Sequence, residues 1–510
     1  MMQIVHDIAP GAELEFRTGF ISPGDFADGI QEMAQQDSCD IIVDDVTFIT
    51  EPFFQDGVVS KAVDFVKDLG VSYFTSAGNF GNRSYESEFN PMTVTGLPVP
   101  GVAHDFSGTG DYKQRVNLQA GSYTIVLQWE DSVYSLGQLP GAKNDFDIYL
   151  VDNSGNYFGL NRKNDFEDPI EVLPFVVRAA TTADIVITRA WSADVASAPV
   201  KIKYVVFRGD LTINEYPSGG STIIGQANAT GAMTVGAVRY TKTPLFGALI
   251  PEAETFSSVG GTSSSGVIRN KPDFCAPDGG NTSVNFYSKD LELDGLYNFY
   301  GTSAAAPHAA GAAALILQAK KKFFSVKMIP DDMRNLLQST AIDMGPSGFD
   351  FTTGYGFIQP ADAINSFAEP MPLISSLALV DSNVLPGYNP VDISITGSYF
   401  SDETQVLLGS TVLTTSYVDD KHLLANVPAF TGNPAIVAYN PPTVPNNNDG
   451  GFSNPKYFNE TVKTHVSVKA DNKYKKYGEK IPEFTATVLV DGIPLSSTNW
   501  TLSDIGLDSL

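Results

Sequence analysis

Gly301-Thr-Ser-Ala-Ala-Ala-Pro-His-Ala-Ala-Gly311 runs directly into Ala312-Ala-Ala-Leu-Ile-Leu-Gln318. The pattern predicts one helix whose first turn holds Ser303 and Pro307, because first-turn N–H groups have no intrahelical partner and tolerate proline. The helix is apolar nearly all round, so it belongs in a core. A serine at its mouth lies at the positive end of the helix dipole, which favours developing negative charge. The pattern Gly-x-Ser-x-Gly does not fit, since Ala305 stands two residues after Ser303.

Outward from this stretch, strands and helices alternate. Phe26 to Gln35 has helical spacing, Cys39 to Phe48 reads as a strand, Asp56 to Leu69 as an amphipathic helix, and Val71 to Ser76 as a strand ending in Ala77-Gly78-Asn79. Leu14-Glu-Phe16, after the Ala9-Pro-Gly-Ala12 turn, reads as the start of another strand. Such alternation predicts a parallel sheet with crossover helices, and function at the carboxyl ends of its strands.

Gly301-Thr302-Ser303-x-x-x-Pro307-His308-x-x-Gly311 resembles the nucleophile motif of the subtilisin-like serine peptidases, the subtilases. Ser76-Ala77-Gly78-Asn79 resembles the family segment whose asparagine supplies the oxyanion-hole amide. Ala227 to Val238, Thr255 to Gly260, Lys271 to Pro277, Thr353 to Gln359 and Asp362 to Asn365 resemble further family stretches, in the family's order. The resemblance covers Met1 to about Phe367, with an interruption. It implies a subtilisin-like α/β fold, a parallel sheet with helices on both faces. It also implies a serine endopeptidase acting through an acyl-enzyme on Ser303, with Asn79 holding the oxyanion and protein or peptide substrates.

The interruption runs from 95 to 207, where short strands alternate with Gly, Asn and Pro turns, a β-sandwich pattern. The domain expectation is therefore 1–94 and 208–368 for the two parts of the α/β domain, with the sandwich inserted between them. Asp145, Asp147 and Asp152 are of the ligand type a structural calcium takes, but their spacing matches no calcium loop. They read as a solvated strand edge, and no cofactor is required. Beyond Pro370 and Pro372, Ile395 to Phe400 and Thr411 to Val418 resemble the immunoglobulin-like TIG (IPT) module, placed at 373–457. Lys469 to Gly478 with Ile481 to Phe484 resembles an incomplete MBG-type repeat of bacterial surface adhesins, placed at 462–510.

Composition bounds the partners. The 510 residues carry 32 basic and 58 acidic side chains, a formal charge of −26. Length argues for more than one domain. Such charge excludes a nucleic-acid partner, whose phosphates demand basic patches, and suits a secreted or cell-surface protein. No apolar run reaches the roughly 18 residues of a membrane span, and no signal peptide is visible. Cys39 and Cys275 lie far apart beside apolar runs and read as two buried free thiols.

The family mechanism also needs a histidine base and an orienting aspartate, both upstream of the oxyanion asparagine. The family's histidine opens a helix ahead of the Ala-Pro turn. Here that helix is already under way at Met1, which implies a fragment beginning after the histidine and little activity of its own. His6 sits at the far end of that helix, and two turns separate it from the required place. His308 lies on another face of the Ser303 helix and reads as structural; His104, His422 and His465 lie in the β-modules. Asp44 and Asp45 read as a strand-end pair touching solvent or a substrate backbone, with an acid or specificity role as the other reading. Two functions therefore stand: a subtilase, or a non-catalytic surface adhesin whose β-modules bind glycans or other surface partners on a degenerate peptidase scaffold.

Overall fold

The computed structural model describes residues 1–160, 162–190, 199–285, 289–458, 466–475, 480, 482–483, 485–490, 493–497 and 501–502. It divides into two compact units, 1–368 and 369–510. At the centre of the first unit is a four-stranded parallel sheet in the order β1 (Ile41–Asp44), β2 (Ser72–Ser76), β3 (Ala232–Arg239) and β4 (Phe274–Asp278). β2 is buried at every position, as a central parallel strand covered on both faces must be.

Alternation along the strands sorts the two cores. Ile42, Tyr73 and Ala232 face α2 (Pro23–Gln35) and α3 (Val58–Asp68), packing with Ile30, Val59, Val63 and Val66. Ser22 caps α2 by accepting from the Asp25 N–H, and Pro23 opens its first turn. Phe74, Met233, Val235 and Phe274 face the other way, onto α4 (Thr302–Phe324), α5 (Pro330–Ser339) and α6 (Pro360–Asn365). The alanines of α4 lie in that core, and Gly311 brings α1 (Met2–Ile8) close: a Cβ there would stand 3.0 Å from the Ile8 Cβ. The architecture is the subtilisin-like α/β fold that the sequence implies, with β-rich modules added.

Three local expectations are revised. Pro307 is the sixth residue of α4, not in its first turn. Its missing N–H would have reached the Ser303 carbonyl, so the chain is without that one helix bond next to the serine. Leu14 to Phe16 forms no strand, and Phe16 and Phe20 are exposed. Cys275 is buried as expected, but Cys39 is only half-buried; both are free thiols.

The inserted sandwich is wider than the 95–207 pattern. Ser84–Glu88 pairs with Lys201–Arg208, and Leu211–Ile213 pairs with Gln114–Leu118. The polar run Ser-Tyr-Glu-Ser-Glu conceals the first of these as a strand. One sheet runs 170–177, 121–129, 201–208, 84–88, and the other is centred on Thr181–Arg189. Trp129, Tyr123, Tyr204 and Phe146 fill the space between them. Lys203, fully buried, pins the sandwich to the α/β part: its Nζ lies 3.1 Å from Glu86 Oε2, 2.6 Å from Ser221 Oγ and 2.8 Å from Thr262 Oγ1. Burial lowers its pKa to about 8.

Close backbone contact ties the later loops of the α/β part together. A Cβ on Gly260 would stand 1.7 Å from the Lys271 carbonyl oxygen. Gly260→Ala is therefore expected to destabilise the first unit by about 3 kcal/mol or more, because backbone rather than a flexible side chain must move. A urea titration that leaves its midpoint where the parent's lies would refute this.

The second unit contains an antiparallel sandwich. Leu373–Leu379, Val391–Ser398, His422–Val427 and Thr414–Asp419 form one sheet; 411–412, 405–408, 436–440 and 451–452 form the other. Ile374, Ile393, Ile395, Val406 and Leu423 fill its core, and strict in-out alternation along Val391–Ser398 produces it. Val466–Ala470, Ala486–Val490 and Ile493–Pro494 make a separate three-stranded sheet. Within the MBG-like stretch, residues 476–478, 481 and 484 lie outside the described residues.

Candidate active site

The carboxyl ends of β1, β2 and β4 meet the start of α4. β2 leads through Ser76 and Ala77 to Gly78, whose φ of +98° suits glycine; a Cβ there would meet the Phe80 ring at 2.7 Å and Ser258 Oγ at 2.9 Å. The Gly78 N–H donates to Thr302 Oγ1 at 3.1 Å. Asn79 follows, and its Oδ1 accepts from both the Thr302 N–H (3.0 Å) and the Thr302 hydroxyl (3.1 Å). Two donors on one oxygen fix which way the amide faces: Oδ1 toward the helix start, Nδ2 along the side of Gly301. A Cβ on Gly301 would stand 3.0 Å from that Nδ2, and Gly301 has a φ of +108°. Asn79 is thus bonded to the residue immediately before Ser303.

β4 supplies the third support. Asp278 at its end is fully buried, and its Oδ2 accepts from the Gly301 N–H at 3.0 Å. Burial pushes its pKa up to about 6. Ser303 is the second residue of α4 and half-buried, so its hydroxyl lies within the first turn, where the dipole is felt.

The end of β1 and the residue after it carry two carboxylates on opposite faces. Asp44 faces Tyr73 and Thr75: its oxygens accept from the Tyr73 hydroxyl at 2.5 Å, the Thr75 hydroxyl at 2.9 Å and the Val46 N–H at 3.2 Å. It is buried, and burial raises its pKa to about 6. Asp45, the next residue, is half-buried and faces the other way, toward the hydroxyls of Ser303 and Ser76. Burial is the main cause that raises its pKa, opposed by those hydroxyls. Asp44 is therefore not a solvent-facing strand end, whereas Asp45 is half-buried. Sequence reasoning read Asp44 and Asp45 together as one strand-end pair; alternation separates them, since adjacent residues at a strand end must point to opposite faces.

The histidines lie elsewhere. His308 Nδ1 is bonded to the Ala304 carbonyl at 2.8 Å, and burial lowers its pKa. His104 is bonded to the Tyr85 hydroxyl (2.8 Å) and the Asn90 N–H (3.0 Å) inside the sandwich. His422 meets Asp419 in the second unit, and His6 is exposed at the end of α1. His465 lies outside the described residues.

Asp145, Asp147 and Asp152 do not form a solvated strand edge together. Asp145 and Asp147 are buried, while Asp152 closes its own turn by accepting from the Ser154 and Asn156 N–H groups. Asp147 has no hydrogen-bond partner on either oxygen, and Glu171 Oε1 has none. Among the described residues no three His, Cys, Asp or Glu side chains come together to hold a metal ion.

Residues 213–356 match the sequence profile of the subtilase family, and 378–459 that of the IPT/TIG domain. The first unit thus contains the stretch that matches the subtilase family, 213–356. The profile takes in the helix of Ser303 and both later sheet strands, but not Asn79 or β1. Fervidolysin of Fervidobacterium pennivorans is 46% identical over 66 residues, 13% of this chain and 9% of that protein. An extracellular serine protease of Serratia marcescens is 26% identical over 192 residues, 37% of this chain and 16% of that protein. The chain thus spans a sixth or less of these two relatives. The structure of the Clostridium perfringens CspB protease aligns over 69% of this chain and 71% of its own, at 14% identity and a TM-score of 0.42. Among the described residues, no helix is long and apolar enough to cross a membrane.

Proposed function

We propose that the subtilase domain is a serine endopeptidase in which Ser303 attacks a peptide carbonyl and Asn79 Nδ2 stabilises the oxyanion. The observation that carries this reading is the double hold of Thr302 on Asn79 Oδ1, which fixes the amide with Oδ1 at the start of α4 and its donor, Nδ2, beside Gly301. A preorganised donor at a developing oxyanion is worth about 3–4 kcal/mol of barrier. The substrates are proteins or peptides, the location is secreted or cell-surface, and the acyl-enzyme is released by water. The acidic composition is compatible with that location, and one matched relative is itself described as extracellular.

The test is labelling with a fluorophosphonate, which needs an activated serine. Label is expected on Ser303, located by peptide mass, and is expected to vanish in Ser303→Ala. Label that persists in the variant would remove the assignment. The second reading, a surface adhesin on a peptidase scaffold, is favoured by one observation: among the described residues no imidazole is bonded to Ser303. A chain that takes no label yet binds a glycan array through residues 369–510 would support it.

A further inference from the structure

We propose that Arg83 binds a carboxylate of the substrate peptide and so sets a preference for acidic substrates. The inference rests on reading Asn79 as the oxyanion residue. Arg83 stands 4 residues after Asn79, and its Nη2 donates to the Asn79 carbonyl at 3.0 Å, at the surface. The cation is thus held on the backbone of the residue whose Nδ2 lies beside Gly301.

The loop that places it is pinned on both sides. The Phe80 N–H donates to Ser258 Oγ at 3.1 Å, the Gly81 N–H to the Phe256 carbonyl at 2.7 Å, and the Arg83 N–H to the Phe80 carbonyl at 3.2 Å. The Arg83 carbonyl accepts from the Val206 N–H of the inserted sandwich at 3.0 Å, and the Ser84 hydroxyl donates to the Ser221 carbonyl at 2.7 Å. Little ordering of this backbone remains to be done when a ligand arrives.

The guanidinium is short of partners. Arg17, Arg239, Arg269 and Arg334 each meet a carboxylate at 3.0 Å or closer. Arg83, half-buried, meets none among the described residues, although the chain has 58 acidic side chains against 32 basic ones. Its Nε is shut off from solvent with no hydrogen-bond partner. The Asn79 carbonyl supplies an acceptor but no countercharge, so the cation stays uncompensated. A carboxylate supplies both, and its two oxygens match the planar fork. A peptide carries that group on Asp or Glu side chains or at its C-terminus.

Fluorescence anisotropy with the whole chain carrying Ser303→Ala, which prevents turnover, tests this. The probes are C-terminally amidated peptides of neutral residues with a single Glu, or a single Gln, placed at each central position in turn. At one position Glu is expected to bind about 10-fold tighter than Gln at low salt, with a smaller margin at high salt. Adding Arg83→Met, which keeps the apolar stem, is expected to bring that ratio to about 1, and Arg83→Lys to keep part of it. The ratio is the readout because a general loss of affinity or of fold weakens both peptides alike. A further arm uses the neutral peptide with a free C-terminus: a gain there that Arg83→Met removes, without a gain from Glu, assigns the carboxylate to the chain end. Equal affinity for Glu and Gln at every position, with no gain from the free C-terminus, would overturn the proposal, as would a preference that survives Arg83→Met. Both outcomes leave the nucleophile assignment standing wherever fluorophosphonate labels Ser303 of the parent. An acidic preference that depends on Arg83, in a chain that takes no label, keeps this site and removes the peptidase reading.

Discussion

Asn79→Asp is expected to cut the rate of Ser303 acylation by about 10²–10³-fold while leaving the fold intact. The substitution separates the two jobs of this side chain. Its Oδ1 accepts from the Thr302 N–H and hydroxyl, and an aspartate oxygen accepts both bonds equally well. What is lost is the Nδ2 donor, and a negative charge takes its place where the oxyanion would form. Asn79→Ala is the less informative change, because it leaves the buried Thr302 hydroxyl with one partner fewer and so mixes a stability loss of about 1–3 kcal/mol into the kinetics. The pair of measurements is a labelling rate and a melting curve. If Asn79→Asp acylates at the parent rate, the oxyanion is held by some other group.

Asp147→Asn is expected to stabilise the inserted sandwich at alkaline pH. Asp147 is fully buried with neither oxygen bonded, beside Asp145, and burial together with that charge pushes its pKa up to about 7. Glu171, nearby, is pushed up to about 8 by burial and by Asp147. A carboxyl raised in the folded state keeps its proton longer there than in the unfolded chain. Between an unfolded value near 4 and the folded value, the native state therefore binds more protons, and stability is lost as pH rises through that window. For Asp147 the loss approaches about 1.4 kcal/mol per pH unit, reaching about 2–4 kcal/mol once the group is ionised. The amide has no charge to desolvate and also removes the repulsion on Glu171. The advantage of Asp147→Asn should thus grow from pH 4 to pH 7 and then level off. His104, whose pKa burial lowers to about 4, acts in the opposite sense as pH falls, but equally in both proteins. Thermal melts at pH 5 and pH 8.5 decide the matter. A variant no more stable than the parent at pH 8.5 would show that these carboxylates are neutralised in some other way.

Much of the fold was legible because it is written in local periodicity. The helix that begins at Thr302, the strand that ends before Asn79, and the alternation of β1, α3 and β2 all follow from residue spacing and from the small residues around Ser303. The C-terminal sandwich was equally visible in the alternation of Val391–Ser398. Less legible were elements whose composition hides them. Ser84–Glu88 is too polar to announce a sandwich strand, and its pairing with Lys201–Arg208 decides that it is one. Leu14 to Phe16 is apolar enough to suggest a strand but has no neighbour to pair with in the described sheets.

From the sequence alone came the residues Ser303 and Asn79, the helix that carries the serine, and the order of the α/β segments. Only the tertiary structure decided that Thr302 turns the Asn79 amide, that Asp44 is buried against Tyr73 and Thr75 while Asp45 faces the other way, and that Asp147 lies in a buried core rather than at a solvated edge. The reason is the range of the interactions. Periodicity reports how a few consecutive residues arrange their own backbone, whereas the covering of a face and the partner of a polar side chain depend on segments from 29 to 223 residues away.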